Sequence, residues 1–200
     1  MPFFIIEGLD GAGGATQTNL LKKFFEKKNI PYVFVKSPEY GTEIGRSIRD
    51  YLTGKIKLNP KEAFILFATD VLNSVTMIKK GLEENKVVIA DRYITSTIAY
   101  QCANGFSFES ALNFVKSHEY PKADAIIFIN IKPVTSMKRK LKEHGRLDKH
   151  EKNLGFLKKV RNFYLKEIKQ NILGKWFIVD GERSIEEVHE DIVKIIEMIE

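Results

Sequence analysis

Phe3-Phe4-Ile5-Ile6-Glu7-Gly8-Leu9-Asp10-Gly11-Ala12-Gly13-Gly14-Ala15-Thr16-Gln17 decides the fold. A short apolar run ends in four glycines within seven residues, and Asn19-Leu20-Leu21-Lys22-Lys23-Phe24-Phe25 then brings apolar residues at helical spacing. The order is strand, glycine loop, helix. Such a loop points backbone N–H groups into one concavity at a helix N-terminus, where dipole and orphan donors favour an anion such as a phosphate. The spacing from Gly8 to Gly13 is that of a P-loop, G-x-x-x-x-G-K-[ST], but Gly14 and Ala15 stand in its last two positions. The lysine that reaches the β- and γ-phosphates and the hydroxyl that meets magnesium are both missing. A glycine-rich turn that only joins strand to helix is the competing reading, and the rest of the chain must decide between them.

Outward from this stretch, Asn29-Ile30-Pro31 breaks the first helix and Tyr32-Val33-Phe34-Val35-Lys36 reads as a second strand, which makes a βαβ unit and hence a parallel sheet. Ser37 to Glu43 is then a loop at a strand's carboxyl end, where open α/β sheets bind ligands. Ile44 to Leu52 has helical spacing. Asn59 as N-cap and Pro60 at the first position start a long helix running to about Asn85, with irregularity expected near the β-branched cluster Val71 to Thr76. Within it Phe67 is either core or a ring that stacks on a base, and spacing alone favours core.

Val87-Val88-Ile89-Ala90 reads as a buried strand ending at Asp91-Arg92-Tyr93, which faces the same crevice as the glycine loop. Either Asp91 and Arg92 pair to cap the strand, or Asp91 holds magnesium, directly or through water, while Arg92 offers a planar fork to a phosphate. Thr95 to Gln101 and Phe108 to Val115 read as helices, Ala125 to Ile131 as a fourth strand, and Pro133 starts the next helix. His144-Gly145-Arg146-Leu147-Asp148-Lys149 is a charged turn, either solvated surface or a lid that delivers cations to a transferring phosphoryl group. A helix over Asn153 to Asn171, a fifth strand over Trp176 to Asp180 and a final helix behind a Ser184–Glu187 capping box complete the chain. Five parallel strands with helices between them make an α/β fold, a three-layer α/β/α sandwich.

Composition narrows the options. Two hundred residues suit one domain with a lid. No apolar stretch reaches membrane length and no secretory leader opens the chain, so a cytoplasmic protein is expected. Cys102 stands alone, which excludes an internal disulfide, and His144 and His150 lack partners at metal-ligand spacing. The net charge of +6 comes from scattered lysines, not one basic block, so no nucleic-acid partner is expected.

Four blocks together carry a resemblance: Phe4 to Gly13 with Thr16-Gln17, Thr42-Glu43-Ile44-Gly45-Arg46, Asp91-Arg92-Tyr93-Ile94 with Ser96, Ala99, Tyr100 and Gln101, and Gly145-Arg146-Leu147-Asp148. The sequence resembles thymidylate kinase, the P-loop nucleoside monophosphate kinase that phosphorylates dTMP, almost end to end. The resemblance implies one domain over residues 1–200 with a lid near 139–152, and ATP with Mg2+ as phosphoryl donor. It implies that the loop residues Gly8, Gly11, Ala12, Gly13, Gly14, Ala15 and Thr16 bind ATP. Asp10, Arg49, Phe67, Arg92, Thr97, Tyr100 and Gln101 would bind dTMP, with Asp10, Arg92 and Arg146 catalytic and Asp91 near the metal. Arg139 or Lys149 would assist Arg146, and a homodimer is implied as well.

Three positions depart from the family pattern: Ala15, Val71 where many members carry an arginine that reads the thymine edge, and Gly14 in place of the loop lysine. A kinase for another pyrimidine monophosphate and a catalytically degenerate nucleotide-binding homologue are the alternative readings. A lid cation among Arg139, Arg146 and Lys149 is the expected substitute for the lysine.

Overall fold

The computed structural model describes residues 1–144 and 153–199 of the chain, so Arg146 and Lys149 of the expected lid lie outside the described residues. Five strands, β1 (Phe3–Gly8), β2 (Tyr32–Lys36), β3 (Val87–Asp91), β4 (Ala123–Asn130) and β5 (Gly174–Asp180), form one all-parallel sheet in the order β2-β3-β1-β4-β5. Between and after them run α1 (Gly14–Lys27), α2 (Glu43–Leu52), α3 (Pro60–Glu83), α4 (Ile94–Ala103), α5 (Phe108–Ser117), α6 (Pro133–His144), α7 (Leu154–Lys169) and α8 (Ile185–Glu197). This is the expected three-layer α/β/α arrangement. The chain leaves β1 toward β2 and β3 on one side and later crosses to β4 and β5 on the other, so a crevice opens at the carboxyl end of β1.

Burial follows strand position. Every residue of β1 and β3 is buried, which is why both read as near-continuous apolar runs, broken by the acids Glu7 and Asp91, and not as alternating ones. The edge strand β5 buries only Trp176 and Val179. Helix α3 lies so close to the sheet that a Cβ on Gly81 would stand 2.9 Å from Val33 Cγ2 and 3.1 Å from Val88 Cγ2.

Both anticipated N-termini are capped as the sequence proposes. Asn59 Oδ1 accepts from the N–H groups of Lys61 and Glu62, and Ser184 Oγ accepts from Glu187 N–H. Helix α3 passes through Val71 to Thr76 without a break, because burial of Ala68, Val71 and Ile78 outweighs the small propensity cost of β-branched residues. It ends at Glu83, short of Asn85, which takes a left-handed φ of 56°.

One acid in α7 is buried without a partner. Glu167 is fully buried, and neither carboxylate oxygen has a hydrogen-bond partner among the described residues. Burial, reinforced by the charge of Glu7, holds its carboxyl well above the ordinary value of 4.5. The folded state therefore keeps a proton that the unfolded chain releases, so this group's contribution to stability is largest below pH 4.5 and declines as the pH rises toward the folded pKa. Glu167→Gln is expected to melt near the wild-type temperature at acid pH and above it at pH ~8, as followed by calorimetry across pH. Parallel curves for the two proteins would contradict this.

Candidate active site

The loop after β1 is held open from below and behind. Gly13 is the N-cap of α1 at φ 98°, and Gly11 takes φ 76°, both in the left-handed region where a side chain is strained. No side chain caps α1 among the described residues, and its first turn holds no acid. Its N-terminal N–H groups thus remain available where Gly11 to Thr16 line the crevice, as an anion site requires. Gly8 lies beneath the loop and does not line this crevice. A Cβ there would meet Ile129 O and Ala12 Cβ, each at 2.9 Å. Helix α6 clamps the loop from the other side, with Ser136 Oγ donating to Asp10 O at 2.6 Å and Arg139 donating to Gly11 O at 3.3 Å and Gly181 O at 2.9 Å. The Arg139 guanidinium is thereby spent on backbone carbonyls.

Across the crevice, Arg92 sits at the centre of a buried polar network. Its backbone takes φ 69°, an uncommon conformation for a side-chain-bearing residue, and its N–H donates to Ile6 O at 3.0 Å. Nη2 donates to Asp10 Oδ1 at 2.7 Å and Nη1 to Ser96 Oγ at 3.0 Å. Tyr100 Oη donates to Asp10 Oδ2 at 2.9 Å and accepts from Asp10 N–H at 3.1 Å. Burial, together with the Asp10 carboxylate, holds the Tyr100 phenol well above its usual range, so it stays a neutral donor.

Behind Arg92 lies Glu7, whose carboxylate accepts from the N–H groups of Tyr93 and Ser96 and from the hydroxyls of Thr95, Ser96 and Tyr164 at 2.6 to 3.2 Å. Burial pushes the Glu7 carboxyl up, while Arg92 and the three hydroxyls pull it back. Sequence reasoning gave Glu7 and Tyr164 no role. The available signal was an acid inside an otherwise apolar central strand, since such a charge is tolerated only with partners.

The remaining expected residues divide. Phe67, Thr97, Tyr100, Gln101, Asp10 and Arg92 all line one crevice with the loop. Phe67 corrects the core reading: it is half-buried on the crevice wall, edge-on to Tyr51 at 6.2 Å between centroids. Spacing missed this because α3 covers the sheet with one face and the crevice with another. Val71 is buried and lines the crevice as well. Neither polar atom of the buried Gln101 amide has a partner among the described residues. Arg49 is not on the crevice wall; its guanidinium stacks 4.9 Å over the ring of Tyr40, which is.

Asp91 is nearly buried, its Oδ2 3.8 Å from Lys36 Nζ and its Oδ1 3.3 Å from where a Cβ on Gly14 would stand. The described residues contain no group of three or more acids, histidines or cysteines that could cage a metal. A single carboxylate at the loop suits magnesium, which keeps several waters and takes its other ligands from phosphates.

A parallel three-layer sheet whose first strand feeds a phosphate loop, set against an arginine across one crevice, defines the P-loop nucleoside monophosphate kinases. A family model described as thymidylate kinase matches residues 6–192. The thymidylate kinase of Fervidobacterium nodosum is 37% identical over 198 residues, covering 96% of this chain and 97% of that protein. The probable thymidylate kinase of Pyrococcus abyssi is 36% identical over 200 residues, covering 97% and 95%, and the thymidylate kinase of Kosmotoga olearia is 32% identical over 200 residues, covering 96% and 93%. The chain belongs to the thymidylate kinase family. No described helix is long and apolar enough to cross a membrane.

Proposed function

We propose that this protein transfers the γ-phosphoryl group of ATP to dTMP, acting in the cytoplasm as a homodimer of single kinase domains with a lid near residues 139–152. One observation carries the reading: a single crevice of about 1550 Å³ is lined both by the loop and by Arg92, Phe67 and Gln101. That exceeds the roughly 300–1,000 Å³ of an ordinary small-molecule site and leaves room for two nucleotides.

The loop amides hold the donor phosphates. Arg92, fixed by Asp10 and Ser96, presents its guanidinium to the acceptor phosphate, and Arg146 from the lid steadies the group in transfer. An acceptor oxygen attacks the γ-phosphorus in line as the bond to the ADP oxygen breaks, so no covalent enzyme intermediate is needed. Phe67 stacks on the base, Thr97 lines its pocket, and Tyr100, locked to Asp10, leaves no space for a ribose 2′-hydroxyl. Magnesium arriving with ATP would neutralise phosphate charge, and Asp91 would hold it, directly or through water.

The orphan Gln101 amide supports a base with adjacent donor and acceptor, as thymine has. Gln101→Ala is expected to raise KM for dTMP roughly 10–30-fold through the loss of two hydrogen bonds, with KM for ATP unchanged. Steady-state assays with dTMP, dUMP, UMP and dCMP as acceptors test the whole reading. Absence of turnover with dTMP ends it, and faster turnover of another acceptor reassigns the substrate.

A further inference from the structure

The loop has no lysine, yet phosphoryl transfer needs a cation over the donor phosphates. The described cations on the crevice wall are Lys36, Arg92, Arg139, Lys140 and Arg183. Four are engaged at hydrogen-bond distance: Arg92 with Asp10, Arg139 with two carbonyls, Lys140 with Glu143 at 2.9 Å, and Arg183 with Asp191 at 2.6 Å. Lys36 differs. Its ammonium stands 3.8 Å from Asp91 Oδ2, too far for a hydrogen bond, and its side chain is 46% exposed.

Its place in the sheet is also suggestive. Lys36 is the last residue of β2 and pairs in register with Asp91, which in turn pairs with Ile6 just below the loop. Three neighbouring strands therefore bring Lys36, Asp91 and the loop to one level at the carboxyl edge. One carboxylate links the two positions of interest: its Oδ2 faces the Lys36 ammonium, and its Oδ1 faces the absent side chain of Gly14. The first carbon of a lysine at position 14 would stand 3.3 Å from Asp91 Oδ1, a fit the carboxylate side chain meets by giving a few tenths of an ångström. Glycine leaves that volume open to a long, flexible point charge arriving from β2.

We propose that Lys36 supplies, from the end of the second strand, the positive charge that an ordinary P-loop supplies from the position of Gly14, contacting the terminal phosphates of the donor. The proposal rests on the kinase reading above and differs from a lid cation in its source. Lys36 gains contact as charge shifts toward the oxygen bridging the β- and γ-phosphates, the bond that breaks when the acceptor oxygen bonds to phosphorus.

The test uses Lys36→Met, and Lys36→Met combined with Gly14→Lys, in the full chain. Lys36→Met is expected to lower kcat with dTMP by about 10²–10³-fold, the effect of deleting one preorganised donor. It should also weaken ATP binding in calorimetry at least ~10-fold, while dTMP binding holds. Adding Gly14→Lys should restore at least ~10-fold of the lost kcat, which a merely structural role for Lys36 would not allow. A kcat within about threefold of wild type, an unchanged ATP affinity, or no gain from Gly14→Lys overturns the proposal. Wild-type protein that transfers no phosphate to dTMP overturns the kinase reading instead, and the ATP affinities then still judge where Lys36 acts.

Discussion

Arg92→Met should lower kcat/KM for dTMP by about 10³-fold or more, which corresponds to roughly 4 kcal/mol of transition-state binding. The guanidinium is held by Asp10 at 2.7 Å and Ser96 at 3.0 Å, so its planar fork is aimed before any phosphate arrives. Lysine is no substitute, because a single ammonium cannot serve Asp10, Ser96 and a phosphate in those directions together. Arg92→Lys should therefore recover little of the loss. Kinetics with varied dTMP, alongside calorimetric dTMP affinity, reads both variants. Retention of kcat/KM within about tenfold in Arg92→Met would remove Arg92 from the phosphate site.

The second large effect belongs to a residue that never meets substrate. Glu7→Ala strands five donors, the N–H groups of Tyr93 and Ser96 and the hydroxyls of Thr95, Ser96 and Tyr164, and strips Arg92 of a compensating charge. Breaking a buried charged network from one side costs about 3–5 kcal/mol, a fall of roughly ten degrees in melting temperature for a chain of this size. Activity should fall as well, because Ser96 links Glu7 to the Arg92 fork. Glu7→Gln keeps one acceptor oxygen but turns an NH2 toward groups that themselves donate, so it should lie between wild type and Glu7→Ala. Scanning calorimetry with parallel assays measures both. A Glu7→Ala protein melting within about two degrees of wild type would show that the donors find other partners.

The features legible in the sequence were the local ones. The glycine loop, the five apolar strand runs, the caps at Asn59 and Ser184 and the Asp91-Arg92-Tyr93 turn all rest on spacing within a few residues, and the structure bears out those elements. What stayed hidden depends on which elements meet. Nothing near Arg139 in sequence says that it donates to Gly11 and Gly181, and the ordinary strand pattern around Lys36 does not announce a charge beside Asp91. Arg49 belongs with these: its guanidinium lies over the ring of Tyr40, a contact that nothing in its own helix announces. The first helix starts at Gly14, inside what reads locally as loop, because glycine's weak helix propensity conceals a turn fixed by tertiary contacts.

The bond from Ser136 to the Asp10 carbonyl joins residues 126 positions apart. Because Arg139 on the same helix holds the next carbonyl, α6 cannot tilt without dragging the peptide units of Asp10 and Gly11 along. The cradle's curvature and the helix's inclination thus share one degree of freedom, like a latch and its handle. Heritable change at Ser136 could retune nucleotide grip while every loop residue stays the same.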